Sequence, residues 1–301
     1  MNKPFPSVNQ QIPIDSKFDI SLHMKREDLI DAEISGNKYR KLLYNIKAAK
    51  SSNQTTLLTF GGAFSNHIAA VAACGSRFGF NTIGIIRGEE VKAFEDSNPT
   101  LQFAKKQNMI LHYISRSDYK RKNKDEYIQY LRQQFGSFYL LPEGGTNELA
   151  VKGCEEILHA NDREFDIICC PIGTGGTISG IINSSVSSQK IIGYSAVKDH
   201  ELKEVICKFA HAENWKIEPS DYGGYGKIDK SLIDFINHFK STYNIPLDPI
   251  YNGKMMYRLF EQIENREFPK GTKILAVHTG GLQGLKGMNW RIKQTQLPRL
   301  L

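Results

Sequence analysis

The stretch Thr55–Ile86, TTLLTFGGAFSNHIAAVAACGSRFGFNTIGII, decides the fold. It opens on the apolar run Thr55 to Phe60 and breaks at Gly61-Gly62. From Ser65 to Phe78 its apolar residues fall three and four apart, and a second apolar run follows at Thr82 to Ile86. That switch of period reads as strand, helix, strand. Strand, helix, strand at this rhythm implies a parallel sheet covered by helices on both faces.

The same rhythm continues outward. Strands are expected at Met109 to Ile114 and Phe138 to Leu141, with helices at Pro99 to Gln107 and Asp125 to Phe135. A second set begins with a helix over Thr146 to Ala160. It continues with strands at Asp166 to Ile172, Lys190 to Val197 and Lys273 to His278, and helices at Thr177 to Ser184 and His200 to Ala212. Two parallel-sheet units suit a chain of 301 residues, and the lack of a long linker, repeat or low-complexity tract implies that they share an interface. Ligands of open parallel sheets bind where strands end and helices begin, which directs attention to the glycine-rich turns.

Composition narrows the class. Hydrophobic residues at 40% and charged residues at 24% are ordinary for a globular chain and exclude disordered, collagen-like and membrane-spanning classes. The apolar stretch Ile68 to Cys74 is far too short to span a bilayer. Met1-Asn2-Lys3-Pro4-Phe5-Pro6 leads into polar residues with no apolar signal core, so a cytoplasmic protein is expected. The five cysteines (Cys74, Cys154, Cys169, Cys170, Cys207) are odd in number and scattered, without metal-ligand or disulfide spacing, and read as reduced thiols packed like small hydrophobes. No metal site is expected. The net charge of +7 has its densest cluster at Lys120-Arg121-Lys122-Asn123-Lys124, which lacks interleaved aromatics and reads as a solvated loop rather than a nucleic-acid surface.

Three segments carry chemistry. Gly173-Thr174-Gly175-Gly176-Thr177 lies at a strand-to-helix junction, where glycines expose backbone N–H groups and two threonines add hydroxyls, a combination suited to phosphate or simply to a tight turn. It is neither a dinucleotide-binding GxGxxG nor a P-loop. In Gly61-Gly62-Ala63-Phe64-Ser65-Asn66-His67, Ser65 or Asn66 is an ordinary helix N-cap, yet the three polar side chains at a dipole-positive end also make a carboxylate cradle. Lys38, after Ser35-Gly36-Asn37 and before the apolar positions Leu42, Leu43 and Ile46, is either one more solvated lysine or an inward, desolvated amine able to condense with an aldehyde cofactor.

In order, these segments resemble the family of 1-aminocyclopropane-1-carboxylate deaminase and D-cysteine desulfhydrase, pyridoxal-phosphate enzymes of the tryptophan synthase β-like fold. The matching residues are KRED (25–28), SGNKYRKL (35–42), GGAFSNHIAAVAA (61–73), PEGGTN (142–147), GTGGT (173–177), DPIYNGK (248–254) and HTGG (278–281). The resemblance implies an α/β protein of fold type II with two open twisted parallel-sheet domains, helices on both faces. Residues 1–40 with 147–301 would form the large, cofactor-binding domain and 41–146 the small one. It implies pyridoxal 5'-phosphate as cofactor, a small amino acid as substrate and a homodimer.

Residue by residue, Lys38 would carry the cofactor as a Schiff base. Gly173, Thr174, Gly175, Gly176 and Thr177 would hold its phosphate, and Asn66 would bond the pyridine oxygen. Thr279 would face the pyridine nitrogen, where a hydroxyl rather than an aspartate leaves the ring neutral. Ser65, Asn66 and His67 would receive the substrate carboxylate under Tyr225 and Tyr251, with Lys38, Ser65, Tyr225 and Tyr251 catalytic. His67 and Asn252 stand where the cyclopropane deaminases carry glutamine and glutamate. The resemblance therefore leans to β-elimination from D-cysteine, giving pyruvate, ammonia and sulfide. Ring-opening deamination to 2-oxobutanoate and ammonia is the alternative, and a non-catalytic ligand-binding relative the alternative of another class. LQGLKGMNWRIKQ (282–294) departs from the family's pattern.

Overall fold

The structure is a computed structural model, and it describes residues 1–197, 201–293 and 295–301. Among the described residues, ten strands form two sheets. They are β1 (Asn9–Ile12), β2 (Ser21–Lys25), β3 (Thr56–Gly61), β4 (Asn81–Arg87), β5 (Ile110–Ile114), β6 (Tyr139–Leu141), β7 (Ile167–Ile172), β8 (Lys190–Ser195), β9 (Trp215–Pro219) and β10 (Lys273–Val277). The helices are α1 (Asn37–Ser51), α2 (Asn66–Phe78), α3 (Pro99–Lys106), α4 (Arg116–Tyr119), α5 (Asp125–Phe135), α6 (Glu148–Cys154), α7 (Gly176–Ser184), α8 (Leu202–Phe209), α9 (Lys230–Tyr243), α10 (Asn252–Glu264) and α11 (Gly284–Ile292).

The small sheet runs β5-β4-β3-β6 and is parallel throughout. The large sheet runs β1-β2-β10-β7-β8-β9, parallel except that β1 pairs antiparallel with β2 at the edge. That antiparallel edge corrects the expectation of purely parallel sheets. Alternation along β7 shows why its apolar run is unbroken. Cys169 faces the core built with α9 and α10, whereas the next residue, Cys170, faces the core built with α7 and α8. In the small domain, α1, α2 and α3 cover one face of the sheet and α5 the other.

Local signals set the limits of these elements. Ser65 caps α2 by accepting the His67 and Ile68 N–H groups, and Gly79, in the left-handed region at φ +77°, ends it. The helix expected over Thr146 to Ala160 is confined to α6, because Asn147 caps its start and the backbone departs into a separate short 3-10 turn at Ala160–Glu164. The helix expected from His200 is α8; His200 itself lies outside the described residues. The division expected between residues 40 and 41 falls inside α1, whose later residues Leu42, Ile46 and Ala49 enter the small-domain core. Four cysteines are buried as expected, but Cys207 is exposed. Among the described residues, no helix is long and apolar enough to cross a membrane.

Candidate active site

The glycine-rich turns all follow strand ends that face one cleft. β3 leads into Gly62–Ser65, β6 into Pro142–Thr146, β7 into Gly173–Gly175 and β10 into His278–Gly281. The approach between them is close. A Cβ on Gly36, which has φ +62°, would stand 2.1 Å from the Thr279 carbonyl oxygen, and the Asn37 N–H donates to that same oxygen at 3.2 Å. The start of α1 is therefore wedged against the turn after β10. A buried ion pair fastens it further: Arg40 donates through Nε and Nη2 to Glu27 at 2.8 Å, next to the Arg26–Asp28 pair at 2.7 Å.

Lys38 sits on this anchored turn, its ammonium donating to Asn37 Oδ1 at 3.1 Å, while Asn37 Nδ2 donates to Thr177 Oγ1 at 2.9 Å. Burial, with the adjacent Lys41 charge, pulls the Lys38 amine down to about 7. Near pH 7 about half of such an amine is neutral and nucleophilic, against almost none of an ordinary lysine.

Opposite Lys38, α7 begins at Gly175 (φ +81°) with no side-chain cap, so its first N–H groups remain available. Thr174 and Thr146 hydroxyls lie 2.7 Å apart at this mouth. Lys41, one helical turn past Lys38, reaches the same point. Its ammonium donates to Gly144 O at 2.9 Å, Thr146 Oγ1 at 3.1 Å and Thr174 Oγ1 at 3.4 Å. All three acceptors are neutral oxygens around a buried cation whose pKa burial lowers.

On the other wall, Tyr251 lies against Gly173, where a Cβ would stand 3.0 Å from its Cε1, and its hydroxyl is 3.2 Å from that of Tyr225. Burial, then the neighbouring Tyr225, raises the Tyr251 pKa well above its ordinary value, so the phenol keeps its proton. Thr279 is held from behind by Asn252. The amide oxygen accepts the Thr279 N–H at 2.9 Å and lies 3.3 Å from Oγ1, while its nitrogen donates to Gly280 O at 2.9 Å and to Asp248. Asn66 is directed across the cleft, its Oδ1 accepting from Gln283. His67 is 2% exposed, packed where a Gly145 Cβ would stand 2.8 Å from its Cε1. Burial first, then Lys38 and Lys41, hold its pKa well below normal. The Pro142 carbonyl approaches the ring, yet neither ring nitrogen completes a hydrogen bond.

A family model for pyridoxal-phosphate dependent enzymes matches residues 10–280 of the chain. The chain is a pyridoxal-phosphate-dependent enzyme. Its relatives give the branch. The bifunctional D-cysteine desulfhydrase/1-aminocyclopropane-1-carboxylate deaminase of Arabidopsis thaliana, described as mitochondrial, is 30% identical over 88% of this chain and 73% of its own length. A 1-aminocyclopropane-1-carboxylate deaminase of a Bradyrhizobium species is 26% identical over 90% of this chain and 89% of its own. The solved structure of an ACC deaminase homologue superposes with a TM-score of 0.80 at 25% identity, covering 94% and 91% of the two chains. This pyridoxal-phosphate enzyme therefore belongs with the 1-aminocyclopropane-1-carboxylate deaminase and D-cysteine desulfhydrase group, with the fold type II architecture expected from its motifs.

The residues present fit that cofactor. An uncapped helix start lined by glycines and hydroxyls suits a phosphate dianion, and the same anion would supply the buried Lys41 ammonium with the counter-charge its neutral partners lack. The unpartnered imidazole of His67, which costs about 1–3 kcal/mol while unsatisfied, marks a polar surface that an occupant completes. Lys41 and Thr146 were not singled out in the sequence. The signal for Lys41 was the three-residue spacing from Lys38, which puts both amines on one face of α1; nothing local marked Thr146 beyond its place in PEGGTN. Gln283 lies in the stretch that departs from the family's pattern, and no local signal pointed to it.

Proposed function

We propose that this enzyme deaminates a small amino acid to a 2-oxo acid and ammonia, with 1-aminocyclopropane-1-carboxylate as its substrate and 2-oxobutanoate as the product. The observation that carries the reading is the buried Lys38 amine, drawn down to about 7 and close enough to His67 at the start of α2 to lower its pKa. The names of the relatives support the cyclopropane reading over the D-cysteine reading that His67 and Asn252 suggested from sequence. D-cysteine desulfhydration is the second reading, favoured by Asn252 standing behind Thr279 at the position where the cyclopropane deaminases carry glutamate.

Bound pyridoxal phosphate supplies the electron sink for the pair released at the substrate's Cα. The protein supplies the rest. The positive end of α2, with Ser65, Asn66 and His67, takes the substrate carboxylate. Lys41, Thr146, Thr174 and the α7 N–H groups hold the cofactor's phosphate and fix its register. The Cα of the cyclopropane substrate bears no hydrogen, so the bond that must break joins Cα to a ring CH2. A hydroxyl oxygen of Tyr225, Tyr251 or Ser65 would bond to that CH2 as the electron pair passes to Cα, and would leave again, regaining its proton, when the other ring CH2 gives a proton to Lys38. With D-cysteine the same amine removes the α-proton while the thiol group leaves. Each reaction consumes one water and releases ammonia.

Purified protein loaded with cofactor should show a visible absorption band that Lys38→Ala abolishes, and should release 2-oxobutanoate from the cyclopropane acid faster than sulfide from D-cysteine. The opposite ranking reverses the substrate assignment, and a protein that takes up no cofactor overturns the reading of the site. The same proposal includes a homodimer acting in the cytoplasm, which light scattering and fractionation of cells would check.

A further inference from the structure

We propose that Lys254 is the positioning residue for Tyr225, acting through the loop Asp221–Gly226. This loop, DYGGYG, carries Tyr225, whose side chain is 53% exposed and meets Tyr251 through the two hydroxyls, 3.2 Å apart, and edge to ring, with centroids 6.2 Å apart. Its backbone is unusual: Tyr222, Gly223, Gly224 and Gly226 have φ of +41°, +84°, +129° and +69°. Glycines in such conformations lose more freedom on ordering than any other residue, so the loop needs an external tie to hold one shape.

Lys254 supplies that tie. Its side chain is fully buried, and Nζ donates to Asp221 O at 2.5 Å and to Gly224 O at 2.9 Å. Those two carbonyls are the acceptors of consecutive turns. The Gly224 N–H donates to Asp221 O at 3.1 Å, and the Lys227 N–H donates to Gly224 O at 3.2 Å. Tyr225 is the first residue after the shared Gly224, so one ammonium clasps both turns on either side of the position that aims it. Lys254 also follows Tyr251 by three residues at the start of α10, which sets the clasp and the tyrosine partner on one face of one helix. Tyr222 Oη donating to Glu261 at 2.7 Å and Arg291 donating to Gly226 O at 3.2 Å hold the loop's ends, while Lys254 binds the carbonyls of the turns that precede and follow Tyr225's position.

The test is a double-mutant cycle on the cofactor-loaded enzyme with Lys254→Met, Tyr225→Phe and both together, alongside hydrogen exchange of the segment 221–227. Lys254→Met is expected to lower kcat/KM about tenfold to a hundredfold through misplacement alone. Tyr225→Phe should then cost little more in that background, because the two act as one unit. Lys254→Arg, which still offers two N–H groups, should recover part of the loss. Exchange should quicken at least about tenfold within 221–227 and stay unchanged in 230–243 and 252–264. Losses that multiply, or unchanged exchange in the loop, overturn the proposal. If Lys254→Met does not fold, the cycle and the exchange measurement run with Lys254→Arg are read by the same criteria, with smaller effects. The kinetic arm rests on the deaminase reading. The exchange arm needs no substrate, so a wrong substrate assignment and a wrong role for Lys254 give different results.

Discussion

At the scale of single residues, the two amines of α1 divide the work by what surrounds them. Lys38 faces neighbours that make its charged form costly and settles near 7, whereas an ordinary lysine titrates above 10. Only a neutral amine attacks the cofactor's aldehyde. Uptake of pyridoxal phosphate by cofactor-stripped protein should therefore accelerate about tenfold per pH unit below 7 and level off above it, as followed by stopped-flow absorbance. A rate still climbing at pH 9 would mean that Lys38 is not depressed. Lys41 has a different task, because its three acceptors converge on the mouth of α7. Lys41→Met should weaken pyridoxal phosphate about tenfold to a hundredfold in an equilibrium titration, the loss of one charge-assisted contact of about 1.5–3 kcal/mol. Pyridoxal, which lacks the phosphate, should bind the variant and the parent alike.

At the scale of elements, the site depends on how closely α1 approaches the turn after β10. Gly36 and Gly79 make a controlled pair, since both have positive φ, but a Cβ on Gly36 meets the Thr279 carbonyl at 2.1 Å and one on Gly79 meets nothing within 4 Å. Gly79→Ala should cost only the left-handed strain of about 1–2 kcal/mol, and Gly36→Ala distinctly more, both read by urea unfolding. Gly36→Ala should also lose cofactor affinity, because relieving the clash shifts either the start of α1 that carries Lys38 or the turn that carries Thr279. The βαβ rhythm was legible because period and apolar continuity are local properties: β3, α2 and β4 lie within a residue of their expected limits. β1 and β2 were not legible, since Asn9–Ile12 and Ser21–Lys25 mix polar and apolar residues and are strands only by pairing along the distant β10 edge. The neighbours of Lys38 leave it open as a solvated or an inward lysine, and it is singled out through the resemblance of SGNKYRKL to the family's motif. The orientation of Asn66 toward Gln283 was not legible, because the contact joins residues 217 positions apart.

At the scale of the whole molecule, the two domains meet through α11, in the stretch that departs from the family's pattern. Trp290 stacks on Phe94, with ring centroids 5.6 Å apart, and lies beside Phe64 in the turn that opens α2. Gln283 links Asn66 to Thr100, whose hydroxyl is 3.3 Å from its Oε1. These contacts bring small-domain segments from three places in the sequence onto one C-terminal helix. Gln283→Ala should raise KM several-fold while shifting the melting midpoint by no more than a few degrees, because it loosens a bridge at the cleft without emptying a core. An unchanged KM would remove this helix from the binding geometry.

The attachment of α1 bears on how the two domains hold Lys38. One side of the helix is tied to the large domain along its length, by Gly36, the Arg40–Glu27 pair and the contacts of Tyr44 with Glu156 and Asn45 with Asn147, while Leu42, Ile46 and Ala49 enter the small-domain core. A helix gripped on two sides is a shared beam rather than a hinge. The domains cannot part along it without dragging the Lys38 amine out of its place between them.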